Sequence, residues 1–293
     1  MKMMMRLRRC CVLVAAIGAF SFSSEGKAPS VAPQCLERVR EIAEWLRPEA
    51  GFAETRISNR EVWDREASTK QASLIIGRAE RFLKEKLVAP NDAKYEEVYA
   101  WARPLGRIAN DWLSALTYAE CLENKGRFLP RIVSILDVLS SMRTWVNPYH
   151  DRPDFGSFNG LYRKLELGNG NISQHIALTL DLLRDVLPAD CRARALAALR
   201  RQVLDVYLEI AKDRKAARRN RCWFYDSQIN WCAACNEYFA VSCLLALDDP
   251  IKRATAIELA ERSTKCYFAG FTEDGMSLEG AGYWSYGFGQ YLR

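Results

Sequence analysis

Histidine is scarce in this chain, which contains only His150 and His175 among its 293 residues. A metal site built from imidazole ligands is therefore not expected. The chain also lacks a Gly-rich phosphate loop, a serine nucleophile elbow and a second CxxC beside the one formed by Cys232 and Cys235. These absences exclude the usual signatures of nucleotide-binding proteins, serine hydrolases and zinc proteins, and we expect neither a metal nor a cofactor.

Long apolar runs are scarce as well, and the one near the N-terminus is short. Residues 10–22 are mostly apolar, follow a cationic head at residues 2–9, and lead to Ser23 and Ser24. This is the layout of a secretory signal peptide, and the run is too short to span a bilayer comfortably. We expect residues 1–24 to be a signal peptide and residues 25–293 to be one domain of a periplasmic or secreted protein. A membrane anchor, or a start codon assigned too far upstream, is the alternative.

Charge of one sign is not in large excess, because 42 Lys and Arg residues face 36 Asp and Glu residues for a formal net charge of +6. This mild basic bias suits an anionic partner but does not by itself choose between nucleic acid and an acidic polysaccharide.

Cysteine is plentiful, with ten residues, of which Cys10 and Cys11 lie in the predicted signal peptide. An even number in an exported protein permits disulfides. The positions of the other eight within apolar helical stretches favour mostly buried thiols together with one or two bridges, whose pairing the sequence does not indicate.

Strand alternation is lacking, and helical periodicity dominates. Apolar residues recur every third and fourth position in residues 67–87, 108–119, 129–146, 176–187, 196–210 and 230–247. Asp190 and Asn230 are expected to cap helices, and Asp249-Pro250 to begin another. The pattern predicts an all-α fold of about seven to nine helices in antiparallel pairs. Pairs arranged around an axis give an α/α toroid, although a simple bundle or a superhelical array fits the periodicity equally well.

One segment, residues 144–170, has no helical pattern and is rich in aromatic residues, including Trp145, Tyr149 and His150. A loop of this length in a compact helical domain is commonly functional. Aromatic rings suit the faces of pyranose rings, and Arg and Asn side chains suit their hydroxyls and carboxylates. The segment is therefore a candidate sugar-binding loop, with a loop that folds back on the core as the alternative.

The last quarter of the chain carries the residues best suited to chemistry. Asn230 and Trp231 begin an apolar helix, and Glu279, Tyr283 and Tyr286 follow in a glycine-flanked segment. An amide that neutralises a carboxylate and a phenol that takes a proton are what an enzyme needs to remove the proton beside that carboxylate. For Asn230 alone, capping of the helix is the simpler interpretation.

An unperturbed phenol titrates near pH 10, so a tyrosine base needs nearby cations. Arg221 and Arg163 are the candidates for this role. The basic run of residues 214–221 also suits a polyanion, although a solvated helix end is the more common arrangement.

These residues resemble those of a known family. The resemblance to heparinase II/III-like polysaccharide lyases and their alginate-lyase relatives rests on residues 145–150, on Asn230-Trp231, and on Asp274-Gly275 through Glu279-Gly280-Ala281-Gly282-Tyr283-Trp284-Ser285-Tyr286-Gly287. It covers residues 103–293. It implies an α/α toroid followed by a β-sandwich, and β-elimination on a uronic-acid polysaccharide.

The resemblance also implies roles for individual residues. Asn230 would neutralise the C5 carboxylate, and Tyr283 would be the catalytic tyrosine. The other candidate substrate-binding residues are Trp145, Tyr149, His150, Arg221, Trp231, Glu279 and Tyr286. The expected partner is thus an anionic polysaccharide, rather than nucleic acid or, after removal of the signal, a membrane.

The chain departs from the family in two places. Trp231 stands where some relatives have His, and the sequence ends at Arg293 before any β-sandwich. We therefore expect an incomplete toroid, truncated at its C-terminal end, with a downstream β-sandwich domain missing. Two alternatives stay open. One is a non-catalytic toroid that binds glycan or protein, and the other is a glycoside hydrolase that uses two of Asp151, Asp154 and Glu279.

Overall fold

The structure, a computed structural model, describes residues 33–293, and this part of the chain is helical without a β-strand. The only strand-like pairing in it is a single bridge between Phe271 and Ser277. The predicted all-α class is therefore confirmed. The predicted signal peptide lies outside the described residues.

Fourteen α-helices follow one another in residues 33–293. They are α1 (Pro33–Trp45), α2 (Arg60–Ala67), α3 (Lys70–Lys84), α4 (Val98–Gly106), α5 (Ser114–Glu123), α6 (Leu129–Ser141), α7 (Pro148–Asp151), α8 (Leu167–Leu182), α9 (Ala189–Leu199), α10 (Asp205–Lys212), α11 (Arg214–Arg219), α12 (Asn230–Ala246), α13 (Pro250–Phe268) and α14 (Ala281–Tyr291). Two π-helical segments, Arg107–Leu113 and Arg200–Leu204, join α4 to α5 and α9 to α10. Each pair thus forms one continuous helix.

The helices pack in two sets. In the central set, α5 packs on α8, α8 on α12, and α12 on α14. Around it, α3 packs on α5, α6 on α9, and α13 on α12, α10 and α1. Helices α8 and α12 have neighbours on several sides, and most of their residues are buried. This explains why their sequences are apolar nearly all round rather than along one stripe.

Several helix boundaries differ from the prediction. The predicted helix of residues 67–87 is interrupted after Ala67, because Thr69 caps α3 by accepting a hydrogen bond from the backbone N–H of Ala72 at 3.1 Å. Asp190 does not cap α9. It lies in the first turn and pairs with Arg194 one turn later. The prediction for Asp249 is confirmed, since it caps α13 with Pro250 in the first position.

All eight cysteines of the described residues are free thiols, and six of them are buried. The prediction of mostly buried thiols is confirmed, and no bridge forms among these eight. The thiol of Cys232 donates to the carbonyl oxygen of Ser263 at 3.3 Å, and burial raises its pKa to about 12. Within residues 33–293, no group of His, Cys, Asp or Glu side chains could hold a metal ion, and none of the helices has the length and apolar character needed to cross a membrane.

Candidate functional site

The first turn of α12 is held by a carboxylate from far along the chain. Glu279 accepts the backbone N–H of Asn230 at 2.6 Å and its side-chain Nδ2 at 2.7 Å. Asn230 itself is 3% exposed and is the first residue inside the helix, with Ile229 at the N-cap position. The prediction that Asn230 caps α12 is therefore wrong. The capping acceptor is Glu279, 49 residues later, and the same carboxylate also binds the amide of Asn230.

Helix α14 lies against this turn. It begins after Gly280, whose φ of +90° is a conformation that L side chains rarely adopt. At Gly287 the backbone of α14 comes close to Tyr267 on α13 and to Asn230 on α12. A Cβ atom at this position would lie 2.5 Å from the hydroxyl oxygen of Tyr267 on α13 and 3.0 Å from the Cβ atom of Asn230. The absence of a side chain at residue 287 thus lets α14 contact α12 and α13 at the same point.

The two predicted tyrosines lie on the side of α14 that faces α12. Tyr283 precedes Gly287 by one turn, so the two share a helical face. Tyr286 hydrogen bonds through its hydroxyl to the hydroxyl of Tyr238 on α12 at 3.2 Å, and Gln290 donates to the same oxygen at 3.3 Å. Tyr283 is 58% exposed and its hydroxyl has no hydrogen-bond partner within residues 33–293. It is accessible to a ligand one turn from the point where α14 meets Asn230.

The residue that follows Asn230 belongs to a run of four rings, which we term the aromatic wall: Tyr149, His150, Trp223 and Trp231. The indoles of Trp223 and Trp231 stack with their centroids 4.5 Å apart. The ring of His150 meets Trp231 nearly edge-on at 4.9 Å, and Tyr149 meets His150 at 5.5 Å. Tyr149 and Trp223 are exposed. The wall therefore offers accessible aromatic faces in a run of rings that includes Trp231.

The aromatic loop is shorter than predicted. It contains the short helix α7 and ends at Glu166, the N-cap of α8, so residues 168–170 belong to a helix. Glu166 and Asn169 form a capping box, and Nδ1 of His150 lies 2.6 Å from Oε2 of Glu166. The carboxylate that caps α8 thus also orients the histidine of the aromatic wall.

Two candidate residues make their contacts with other parts of the protein. Trp145 is 1% exposed, and its indole N–H donates to the carbonyl oxygen of Leu139 at 2.9 Å, so it belongs to the core. Arg221 pairs with Asp154 at 2.7 Å and lies over the ring of Tyr162. The hydrogen bond from Tyr162, together with Arg221, lowers the pKa of Asp154.

Arg163, the second cation proposed to assist a tyrosine, pairs with Glu209 at 3.2 Å. Most of the basic run forms α11, where Arg219 pairs with Asp213 and Glu209 at 2.9 Å. These cations are already paired with carboxylates of their own surface region.

Sequence reasoning missed Trp223, Glu166 and Tyr238. The Glu-x-x-Asn pattern of residues 166–169 was a usable signal for a capping box. Trp223 lies in a single 3₁₀ turn, which has no apolar periodicity to mark it. In comparisons with known proteins, no family model matches the chain, and no curated protein matches it.

Proposed function

We propose that this chain forms an α/α toroid that cleaves a uronic-acid-containing anionic glycan by β-elimination, as a polysaccharide lyase, in the periplasm or outside the cell. The observation that carries the proposal is the contact of α14 with the first turn of α12. It supports the proposal because the amide of Asn230 is oriented by Glu279 and meets α14 at Gly287, one turn after the exposed phenol of Tyr283. An amide and a phenol at one site are what proton removal beside a carboxylate requires.

The helix packing supports an α/α toroid. The central helices α5, α8, α12 and α14 would be its inner layer, and α3, α6, α10 and α13 would be its outer layer. Polar side chains bridge neighbouring inner helices. Gln174 on α8 donates to Glu237 on α12 at 2.8 Å, and Tyr238 on α12 bonds to Tyr286 on α14. A row of such side chains suits a groove for a hydroxyl-rich polymer.

In the proposed reaction, the aromatic wall packs against sugar rings, and Asn230 binds the carboxylate of the uronate. Glu279 takes one N–H of the amide and fixes its orientation. The second N–H is then left to neutralise charge that develops on the carboxylate as the C5–H bond breaks. The electron pair of that bond forms the C4=C5 double bond, the C4–O4 bond breaks, and Tyr283 acts as base at C5 or as acid at O4.

The carboxylates argue against a glycoside hydrolase. Asp151 is fully buried and accepts hydrogen bonds from the hydroxyl of Tyr95 and from two backbone N–H groups. Asp154 is paired with Arg221, and Glu279 holds Asn230. Hydrolysis needs an acid and a second carboxylate on opposite sides of the glycosidic bond. All three candidates are already committed to contacts within the protein.

The test is the ultraviolet absorbance of the unsaturated uronate during incubation with alginate, heparan sulfate, hyaluronan or chondroitin. We expect one of these glycans to give the product with the wild-type protein, and Tyr283→Phe to abolish it. Tyr291→Phe is the matched control, because Tyr291 is an exposed tyrosine of the same helix. Equal rates for the two variants would remove Tyr283 from the reaction. Glycan binding without product would favour a non-catalytic binding protein instead.

A second pair of variants isolates the amide. Asn230→Ala should lower the rate about 10²–10³-fold, the usual loss for one transition-state donor. Glu279→Ala breaks the same two hydrogen bonds but keeps the amide. We expect it to lose less activity at matched folded fraction, as judged by circular dichroism. Equal losses would reduce Asn230 to a structural role.

A further inference from the structure

The His150–Glu166 pair fixes which ring nitrogen of His150 carries the proton. The carboxylate of Glu166 is fully buried and accepts the backbone N–H groups of Asn147, Gly168 and Asn169 at 3.3, 2.8 and 2.8 Å. Three donors converge on its two oxygens, so these oxygens act as acceptors. The 2.6 Å contact to His150 therefore requires an N–H at Nδ1 of the imidazole. Neutral His150 then has Nε2 as its basic atom.

The imidazole ring of His150 also contacts Trp231, its neighbour in the aromatic wall. The side chain of His150 is 25% exposed, its ring lies 4.9 Å from that of Trp231, and Nε2 has no hydrogen-bond partner within residues 33–293. Lys164 donates through Nζ to the carbonyl oxygen of His150 and so holds the short helix α7 in place. A rigidly oriented imidazole thus presents an unpaired basic nitrogen beside the residue that follows Asn230.

We propose that His150 is the catalytic base of the elimination and that Glu166 is its positioning residue; this inference rests on the proposed function. Nε2 takes the proton from C5, the C–H electron pair forms the C4=C5 double bond, and the C4–O4 pair leaves with O4. Tyr283 protonates O4 with its hydroxyl. The proton then returns from the imidazolium to the tyrosinate through water, so that both groups are restored for the next turnover.

The kinetic test uses the full chain and the glycan that the wild type cleaves best. His150→Gln should lower kcat about 10²–10⁴-fold with little change in KM, as expected for loss of a general base. Free imidazole should restore part of the activity of His150→Ala and leave that of Tyr283→Phe unchanged. A structural histidine would give no such rescue. An active His150→Gln, or the absence of rescue in a folded His150→Ala, would overturn the proposal.

Glu166→Gln tests the positioning role. The new amide can donate a hydrogen bond to Nδ1, which would move the ring proton to Nε2 and remove the basic atom from the wall. We expect kcat to fall while the protein stays folded at the assay temperature. Nitrogen-15 NMR reports the tautomer directly, and because the chain has two histidines, His175→Gln assigns the signals. An Nε2–H tautomer in the wild type would overturn the assignment.

The outcomes separate the two proposals. If the wild type forms no unsaturated product from any of the four glycans, the proposed function fails and this inference fails with it. If the wild type is active and His150→Gln keeps its kcat, only the inference fails.

Discussion

The contact at Gly287 yields the sharpest prediction about this fold. A Cβ atom at this position would lie 2.5 Å from the hydroxyl oxygen of Tyr267 and 3.0 Å from Cβ of Asn230, and both residues are buried. Alanine favours a helix over glycine by about 1 kcal/mol, whereas overpacking of a core typically costs about 1–3 kcal/mol. We expect the steric cost to win, so that Gly287→Ala lowers the free energy of unfolding by about 1–2 kcal/mol.

The steric cost of Gly287→Ala can be measured separately by removing the hydroxyl of Tyr267. This hydroxyl is buried without a hydrogen-bond partner within residues 33–293, and an unsatisfied buried group of this kind costs about 1–3 kcal/mol. Tyr267→Phe should therefore stabilise the protein by about 1 kcal/mol. It also removes the atom closest to the new methyl group. When Gly287→Ala is combined with Tyr267→Phe, its own effect should be close to neutral, which corresponds to a coupling free energy of about 1–2 kcal/mol.

The assay is urea unfolding followed by circular dichroism, with Gly289→Ala as the matched control. Gly289 lies two residues further along the same helix, and a Cβ atom there would have no neighbour within 4 Å. Gly289→Ala should therefore gain up to about 1 kcal/mol from helix propensity. If Gly287→Ala is as stable as Gly289→Ala, or loses the same amount with and without the hydroxyl of residue 267, the described contact of α14 with α12 and α13 is incorrect.

Three further outcomes follow from single side chains. Glu279→Ala should destabilise the protein by about 2 kcal/mol in the same urea assay, because two hydrogen bonds from Asn230 to a charged acceptor are lost, and Glu279→Gln should lose less. Glu120 is 1% exposed and accepts the backbone N–H groups of Gly126 and Phe128 in the turn between α5 and α6. Glu120→Ala should therefore lower the free energy of unfolding by about 2–3 kcal/mol in that assay. A decrease under about 0.5 kcal/mol, the size of a surface substitution, would contradict this. Burial raises the pKa of Tyr267 to about 12, above the unfolded value of about 10, so its neutral form supports folding below pH 10 and this contribution is lost as the pH rises toward 12. The stability advantage of Tyr267→Phe should accordingly grow between these pH values in alkaline unfolding curves, and a constant difference would refute the shift.

Local signals in the sequence predicted the all-α class but not the number of helices, because about seven to nine were expected and residues 33–293 contain fourteen. Asp249-Pro250 marked the start of α13 correctly, because a capping carboxylate and a proline in the first turn act within a few residues. The break at Ser68 and Thr69 was missed, since the apolar positions keep nearly the same spacing across it. The π-helical segments were also missed, because one extra residue in a turn leaves little trace in a pattern of threes and fours.

The site was less accessible to sequence reasoning. The sequence indicates four of the candidate site residues, Asn230, Trp231, Tyr149 and His150. In the structure the rings of Tyr149, His150 and Trp231 contact one another in series, and Trp231 follows Asn230 in the chain. What they contact was not predictable, because Glu279 and Glu166 reach their partners across 49 and 16 residues through tertiary packing. Trp145 illustrates the opposite error. An aromatic residue in a polar loop has the composition of a binding residue whether its ring faces the solvent or, as here, the core.

The unpaired sulfur atoms of residues 33–293 determine how the protein would respond to the oxidising surroundings of the proposed location outside the cytoplasm. Oxidation and thiol exchange need an accessible thiolate, whereas six of the eight thiols within residues 33–293 are buried and burial keeps Cys232 protonated. Oxidants would therefore reach most of them only when the native packing opens. After unfolding, the eight thiols of residues 33–293 can form many different non-native disulfides. Oxidative inactivation should then be irreversible, and its rate should follow the rate of unfolding rather than the concentration of oxidant.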